Sequence, residues 1–91
     1  MMDSAAAVIE VRLKLDLTQV QLASLLGVHP LTVSKWERGL LSPTPYQSAI
    51  LDSFKLAGER NPKAGETAIK LLVGAGVAVA LYFLLKAALE K

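Results

Sequence analysis

The spacing of hydrophobic residues predicts short amphipathic helices along the first two thirds of the chain. In residues 4–15, Val8, Leu13 and Leu15, together with Ile9 or Arg12, are interpreted as the inward stripe of a helix. We therefore predict a first helix over residues 4–15 with these apolar side chains directed inward.

A second helix is predicted over residues 18–26, and both of its ends carry a signal. Thr18 is a favourable N-cap, and Gln21 follows three residues later, which is the spacing of a capping box. Gly27 comes directly after the last apolar residue and can end the helix with a positive φ. The pattern therefore defines a short helix of just over two turns.

A third short helix is predicted over residues 30–38. Pro30 stands in the first turn, where its missing N–H costs nothing, and His29 takes the N-cap position. Val33 and Trp36 are three residues apart, so they face the same side of the helix. We predict that this side points into the core.

A fourth helix is predicted over residues 45–57. Thr44 and Gln47 form another capping box, with Pro45 at the first helical position. Three apolar residues of this helix are predicted to be buried: Ile50, Leu51 and Phe54.

The character of the chain changes after this helix. Residues 58–67 are polar with two Gly and one Pro, which is typical of a linker. Residues 71–85 then contain no charged or strongly polar side chain, and Lys70 and Lys86 bracket them. We predict an apolar C-terminal helix over residues 68–91. The chain is thus predicted to comprise a domain, a linker and this helix, over residues 1–57, 58–67 and 68–91.

Composition limits the classes of function. The chain has 91 residues, enough for one small domain plus an extension. It has no Cys and one His, which excludes disulfides and clusters of Cys or His around a metal. No carboxylate pair, activated nucleophile or phosphate-binding loop stands out. We expect no enzymatic activity, no metal and no cofactor.

The net charge of the chain is only weak evidence for a nucleic-acid partner. The net charge is +2, but residues 1–61 hold six basic and six acidic side chains and are therefore neutral overall. Any affinity for DNA must come from the arrangement of these charges on the surface.

Two short helices joined by a tight turn are the physical core of a helix-turn-helix. Here the turn is Gly27-Val28-His29, and Ala23 is small where the two helices approach each other. Residues 17–39 resemble the lambda-repressor-like helix-turn-helix family of the Cro/C1, or xenobiotic-response-element, type. The matching residues are Thr18-Gln19, Leu22-Ala23, Leu26-Gly27-Val28, Thr32-Val33-Ser34 and Trp36-Glu37-Arg38-Gly39, with Pro43 following.

The resemblance covers about residues 5–57 and does not cover the C-terminal segment. It implies an all-α fold: a small bundle of about four helices plus the C-terminal apolar helix. It also implies that the second helix crosses the DNA backbone and that the third lies in the major groove.

The resemblance also implies roles for individual residues. Gln19 is expected to bond a DNA phosphate and to brace the third helix. Arg12 and Glu37 are expected to form a buried pair that ties the first helix to the third, with Trp36 in the core. The expected DNA-binding residues are Gln19, His29, Pro30, Leu31, Thr32, Ser34, Lys35 and Arg38.

The chain departs from the family pattern in two respects. Pro30 and Leu31 cannot hydrogen-bond a base edge through their side chains. Leu31 can contact a thymine methyl group and Lys35 can reach guanine, so we expect DNA shape to carry more of the specificity. The second departure is a missing fifth helix, whose place is taken by the polar linker and the apolar segment.

Two interpretations of the C-terminal segment stay open, since a helix that is apolar all round must be buried in protein or in lipid. It is either an oligomerisation helix or a membrane anchor, which residues 68–89 are long enough to form if Lys70 and Lys86 reach the interfaces. A strand is a minor alternative. The residues predicted for oligomerisation or membrane contact are Leu71, Leu72, Gly74, Gly76, Ala78, Ala80, Leu81, Leu84 and Leu85.

These patterns predict a sequence-specific regulator of transcription that binds double-stranded DNA. We expect a repressor that acts in the cytoplasm, at the nucleoid, as a homodimer or a higher oligomer. The alternative is a protein-interaction adaptor that keeps the helix-turn-helix fold and is oligomeric or tethered to a membrane through residues 68–89.

Overall fold

The computed structural model describes residues 4–90, so residues 1–3 and 91 of the predicted segments lie outside the described range. Within that range the chain is all-α, as predicted, and contains no strand. Its helices are α1 (Ser4–Lys14), α2 (Gln19–Leu26), α3 (Pro30–Glu37), α4 (Pro45–Arg60), α5 (Ala64–Gly74) and α6 (Val77–Leu89).

The capping signals of α2 and α4 act as predicted. The Thr18 hydroxyl accepts a hydrogen bond from the backbone N–H of Gln21 at 3.0 Å, and the Gln21 side chain accepts one from the Thr18 N–H at 2.9 Å. Thr44 and Gln47 repeat this pair of bonds at the start of α4. Each capping box satisfies backbone donors that have no partner within the helix.

The N-cap of α3 is also confirmed, because His29 Nδ1 accepts a hydrogen bond from the Leu31 N–H at 3.0 Å. Val33 and Trp36 are buried, as the spacing predicted. In α4, Leu51 and Phe54 are buried and Ile50 is partly buried against the same core.

The inward face of α1 differs from the prediction at one residue. Val8, Val11 and Leu15 are buried, whereas 66% of Leu13 is exposed. Successive residues of a helix are about 100° apart, so Leu13 lies far around the helix from Val11 and Leu15. Val11 therefore takes the core position that was assigned to Leu13.

The predicted linker over residues 58–67 is wrong, because most of it is helical. Helix α4 continues to Arg60, and α5 begins at Ala64 after a turn of three residues. Within this turn the Asn61 side chain accepts a hydrogen bond from the Lys63 N–H at 3.0 Å. A helix thus follows α4 at the place where the family's fifth helix was predicted to be missing.

The close packing of Gly65 explains why the linker prediction failed. A Cβ atom on Gly65 would lie 1.8 Å from the carbonyl oxygen of Leu15. Gly65 is therefore a contact residue through which the first turn of α5 reaches the backbone at the end of α1. A Gly-containing polar segment looks like a linker in sequence whether its Gly residues serve flexibility or close approach.

The C-terminal segment is two helices and not the single helix predicted over residues 68–91. Ala75 and Gly76 separate α5 from α6, and Gly76 has a φ of 104°, which side-chain-bearing residues rarely adopt. Helices α5 and α6 pack against each other as a helical hairpin. No helix in the described part of the chain is long and apolar enough to cross a membrane.

Helix α6 completes the core of the chain itself, because it packs against α4, α5 and α2. Ala80 and Leu84 are fully buried there, so their predicted role in contacting a partner or lipid is wrong. The remaining residues of that predicted set stay at least partly accessible: Leu71, Leu72, Gly74, Gly76, Ala78, Leu81 and Leu85.

Candidate nucleic-acid interface

Helices α2 and α3 pack against each other across the tight turn at Gly27. The small side chain of Ala23 is buried where they approach, as predicted. Val33 and Trp36 bury the inner face of α3 in the core, with 0% and 1% of their surface exposed. Because one face of this short helix is fixed inside, its opposite face must point outward.

All eight residues predicted to contact DNA are accessible on the structure. Half of Leu31 is exposed, and Lys35 lies on the same exposed side of α3. The other members of the set are exposed or partly exposed: Gln19, His29, Pro30, Thr32, Ser34 and Arg38. Helix α3 thus offers a continuous outer surface to a partner.

A charged brace holds α3 in place at its C-terminal end. Arg12 of α1 donates two hydrogen bonds to the Glu37 carboxylate, from Nε to Oε2 at 2.6 Å and from Nη2 to Oε1 at 3.0 Å. The remaining terminal nitrogen of Arg12, Nη1, donates to the Leu17 carbonyl at 3.1 Å. A two-pronged bond of this kind fixes orientation as well as distance.

Gln19 joins the same brace from the first turn of α2. Its Nε2 donates a hydrogen bond to Glu37 Oε1 at 3.0 Å, so the carboxylate is shared by side chains of α1 and α2. The side chain of Glu37 is 7% exposed, and that of Arg12 is 21% exposed. The predicted Arg12–Glu37 pair is therefore present and largely buried, and Gln19 braces α3 as the resemblance implied.

The protonation of Glu37 follows from this brace. Burial raises the pKa of the Glu37 carboxyl group, but the hydrogen bonds from Arg12 and Gln19 together outweigh this effect and hold the pKa below its ordinary value. The hydrogen bond with Glu37 also raises the pKa of Arg12. The brace is thus an ion pair at neutral pH.

The charges left on the outer surface of this unit are positive. Helix α2 contains no charged residue, and the negative charge of Glu37 is compensated by Arg12. This leaves Lys35 and Arg38, both of which are exposed. Arg38 Nε donates to the backbone oxygen and the hydroxyl of Ser34, at 3.3 and 3.2 Å. The surface therefore combines positive charge with hydrogen-bond donors, which is what DNA phosphates and guanine edges accept.

Two exposed apolar residues beside α3 were not among the predicted site residues. Leu40 is 65% exposed and Leu41 is 47% exposed, in the loop before α4. The Leu40 N–H donates to the Lys35 carbonyl at 2.9 Å, so the loop begins against the last turn of α3. The sequence feature that could have indicated this exposed pair is the two consecutive leucines between Gly39 and the Ser-Pro turn.

Comparison with known proteins gives one result that bears on this unit. Residues 8–48 match a family model described as helix-turn-helix, a range that runs from within α1 into α4. Neither the curated proteins nor the solved structures that were searched gave a match. The match covers the charged brace and the whole outer surface of α3. The match agrees with the predicted resemblance of this unit to the lambda-repressor-like helix-turn-helix family, and it supports a DNA-binding regulator of the helix-turn-helix type.

Proposed function

We propose that the chain regulates transcription by binding double-stranded DNA sequence-specifically, with α3 docked in the major groove. The observation that carries this proposal is the division of α3 into two faces. Val33 and Trp36 anchor the inner face in the core, while Leu31 and Lys35 lie on the outer face. A helix of this kind can enter the groove without unfolding or rearranging the domain.

The charged brace supports the proposal by fixing α3 relative to α1 and α2 before DNA is bound. Arg12 and Gln19 both bond Glu37, which is the last residue of α3. A surface that is already ordered loses less conformational entropy on association, so more of the interaction energy contributes to affinity.

The proposed contacts follow from side-chain chemistry. The Lys35 ammonium group donates to guanine O6 or N7, and Leu31 contacts a thymine methyl group. Phosphates are contacted by the residues at the edges of this surface: Gln19, His29, Thr32 and Arg38. Because Pro30 and Leu31 offer no side-chain hydrogen bond, the shape of the DNA carries part of the specificity.

The proposed regulatory effect is repression by occupancy of a promoter. Two copies on neighbouring half-sites, about one helical turn or roughly 34 Å apart, would cover enough DNA to exclude the transcription machinery. The described helices share one hydrophobic core, and the proposed effect requires only that this domain occupies its site.

The experiment begins by selecting duplexes that bind the full chain from a random-sequence library. The affinity of the selected duplex is then compared between the native chain and Lys35→Ala at several salt concentrations. The matched control is Lys70→Ala, which removes an exposed lysine of α5. We expect Lys35→Ala to cost about 1–3 kcal/mol of binding free energy and to relax preference at one base pair.

Lys70→Ala should leave binding almost unchanged. Equal affinities of the two variants would contradict the assignment of Lys35. If no duplex is enriched at low salt, the DNA-binding proposal fails and the adaptor alternative is favoured.

A further inference from the structure

Helix α6 is apolar on two opposite faces, and residues 4–90, which the structure describes, cover only one of them. The covered face is formed by Ala80, Leu84, Ala87 and Ala88, all of which are buried. The opposite face is exposed and carries Ala78, Tyr82, Leu85 and Leu89, which we call the α6 seam. Tyr82 is 68% exposed and Leu89 is 83% exposed, although neither was among the predicted interface residues.

The α6 seam has the spacing of a helix-helix interface. Its residues are separated by four, three and four positions, which is the alternation of the a and d positions of a heptad. At about 100° per residue, all four side chains fall within roughly 60° of the helix circumference. Single exposed apolar residues are ordinary, but four in register along one helix form a continuous patch.

We propose that the α6 seam binds the α6 seam of a second copy of this chain. A seam of this spacing is self-complementary, because apolar knobs at alternating intervals of three and four residues fit between the same residues of a facing helix. A symmetric dimer uses the same patch on both copies, so no second surface is required.

The exposed area of the seam is close to the lower limit for a specific dimer interface. The accessible surface of the described chain is 5510 Å². A standard interface takes about a tenth of the surface of a small protein. The seam together with Val73, which is 84% exposed near the α5–α6 turn, would have to bury about a tenth of this surface, roughly 500 Å² per copy, to match such an interface. Two copies would then bury roughly 1,000 Å², which is the lower limit for a specific interface.

The charges of α6 favour a second copy over a lipid surface. Helices that lie on membranes flank their apolar face with several Lys or Arg residues. Lys86 is the one basic residue of α6, and Glu90 follows the helix. Because the polar flank of a membrane-binding helix is lacking, the apolar seam is better matched by another apolar seam.

The proposed interface and the proposed DNA surface lie on different helices. Helix α6 packs against α4, α5 and α2, whereas α3 packs mainly against α1 and α2. The dimer proposal goes beyond the DNA-binding proposal, and the two are tested separately because the mass of the protein is measured without DNA.

The experiment measures the mass of the full chain by sedimentation velocity and light scattering over a wide range of concentration. We expect the native chain to approach twice its 9.7 kDa. In the variants Tyr82→Glu and Leu89→Glu, the dissociation constant of the dimer should rise roughly 100-fold or more, because each substitution places a carboxylate in an apolar contact. The matched controls are Tyr46→Glu and Leu13→Glu, whose side chains are 76% and 66% exposed on α4 and α1.

Far-ultraviolet circular dichroism on each variant separates loss of the dimer from loss of the fold. Because the chain has no Cys, a single Leu85→Cys substitution also permits cross-linking with a short bismaleimide, and Leu13→Cys serves as its control. We expect covalent dimers from Leu85→Cys and none from Leu13→Cys. This readout depends on proximity and does not require a disruptive substitution.

Three results would overturn the proposal. One is a native chain that remains monomeric at every concentration. Another is a dimer that the seam variants and the control variants weaken equally, which would place the interface elsewhere. The third is a monomer that floats with anionic phospholipid vesicles and loses this binding in Tyr82→Glu, which would assign the seam to lipid.

Discussion

Replacing Gly65 with Ala tests the packing of α5 against the end of α1. The added Cβ atom would lie 1.8 Å from the Leu15 carbonyl oxygen and 2.7 Å from the Leu15 carbonyl carbon. Both of these atoms belong to the backbone, so no side-chain rotation can relieve the clash. The first turn of α5 would have to move away from α1 by more than an ångström.

The size of the effect follows from what moves with Gly65. Ala64 and Ala68 are fully buried on the same side of α5 and would be drawn out of contact. Overpacking that forces a backbone shift costs about 1–3 kcal/mol or more. The higher helix propensity of Ala offsets at most about 1 kcal/mol of this loss of stability, and less in the first turn of a helix. We expect Gly65→Ala to lower the free energy of unfolding by about 2 kcal/mol.

The assay is urea unfolding followed by circular dichroism, with Gly74→Ala as the matched control. Gly74 is the last residue of the same helix, and no atom lies within 4 Å of a Cβ added there. Gly74→Ala should therefore leave stability unchanged or raise it by up to about 1 kcal/mol. For a domain of this size, the expected loss in Gly65→Ala corresponds to a melting temperature lower by roughly 8–16 °C.

Equal stability of the two variants would refute the reasoning. Such a result would mean that Gly65 does not contact the end of α1 and that residues 58–67 behave as the flexible linker that their composition suggests. A large loss in Gly65→Ala alone would show that α5 folds as part of the same core as the helix-turn-helix.

Two further predictions concern Glu37 and Gly76. Because the folded-state pKa of Glu37 is lowered, its ion pair stabilises the fold above the ordinary Glu pKa of about 4.3, and this stabilisation is lost as the pH falls through the lower folded pKa. Glu37→Gln should therefore cost about 1–3 kcal/mol at neutral pH and reduce the acid sensitivity of unfolding. Glu66→Gln, which changes an exposed carboxylate, should leave stability at neutral pH almost unchanged. Unchanged acid sensitivity in Glu37→Gln would contradict the lowered pKa of Glu37. Gly76→Ala should lower the free energy of unfolding by about 1–3 kcal/mol in thermal unfolding, because φ is 104° and ψ is 169° at this turn. Unchanged stability in Gly76→Ala would show that the turn adopts another conformation.

The two proposals assign different tasks to the two halves of the chain. The outer face of α3 would bind DNA, and the α6 seam would hold two copies together. Dimerisation would place two α3 helices on one duplex, so that each copy contributes its contacts to the same complex. A monomeric seam variant that still folds should consequently retain half-site binding and lose affinity for a two-half-site operator.

Most of the predictions that the structure confirms rest on local interactions. The capping boxes at Thr18 and Thr44 and the His29 cap each join atoms no more than three residues apart. Such bonds depend little on the rest of the fold, so their residue pattern is legible in sequence. The Arg12–Glu37 pair spans 25 positions. Its prediction came from the resemblance to the family, because spacing alone does not reveal such a distant contact.

The predictions that failed depended on contacts between distant segments. Gly65 has the composition of a linker residue, and only its contact with Leu15 shows that it belongs to a packed helix. The sequence likewise predicted an apolar C-terminal segment without revealing which of its side chains the rest of the chain covers.

The sequence by itself therefore determined the short helices and their caps, since those depend on neighbouring residues. The tertiary structure alone decided that the C-terminal segment folds back as two helices onto α4. It also decided that Leu84 is buried while Tyr82 is exposed. The physical reason is that the burial of an apolar side chain depends on which surface reaches it, and that surface comes from residues far away along the chain.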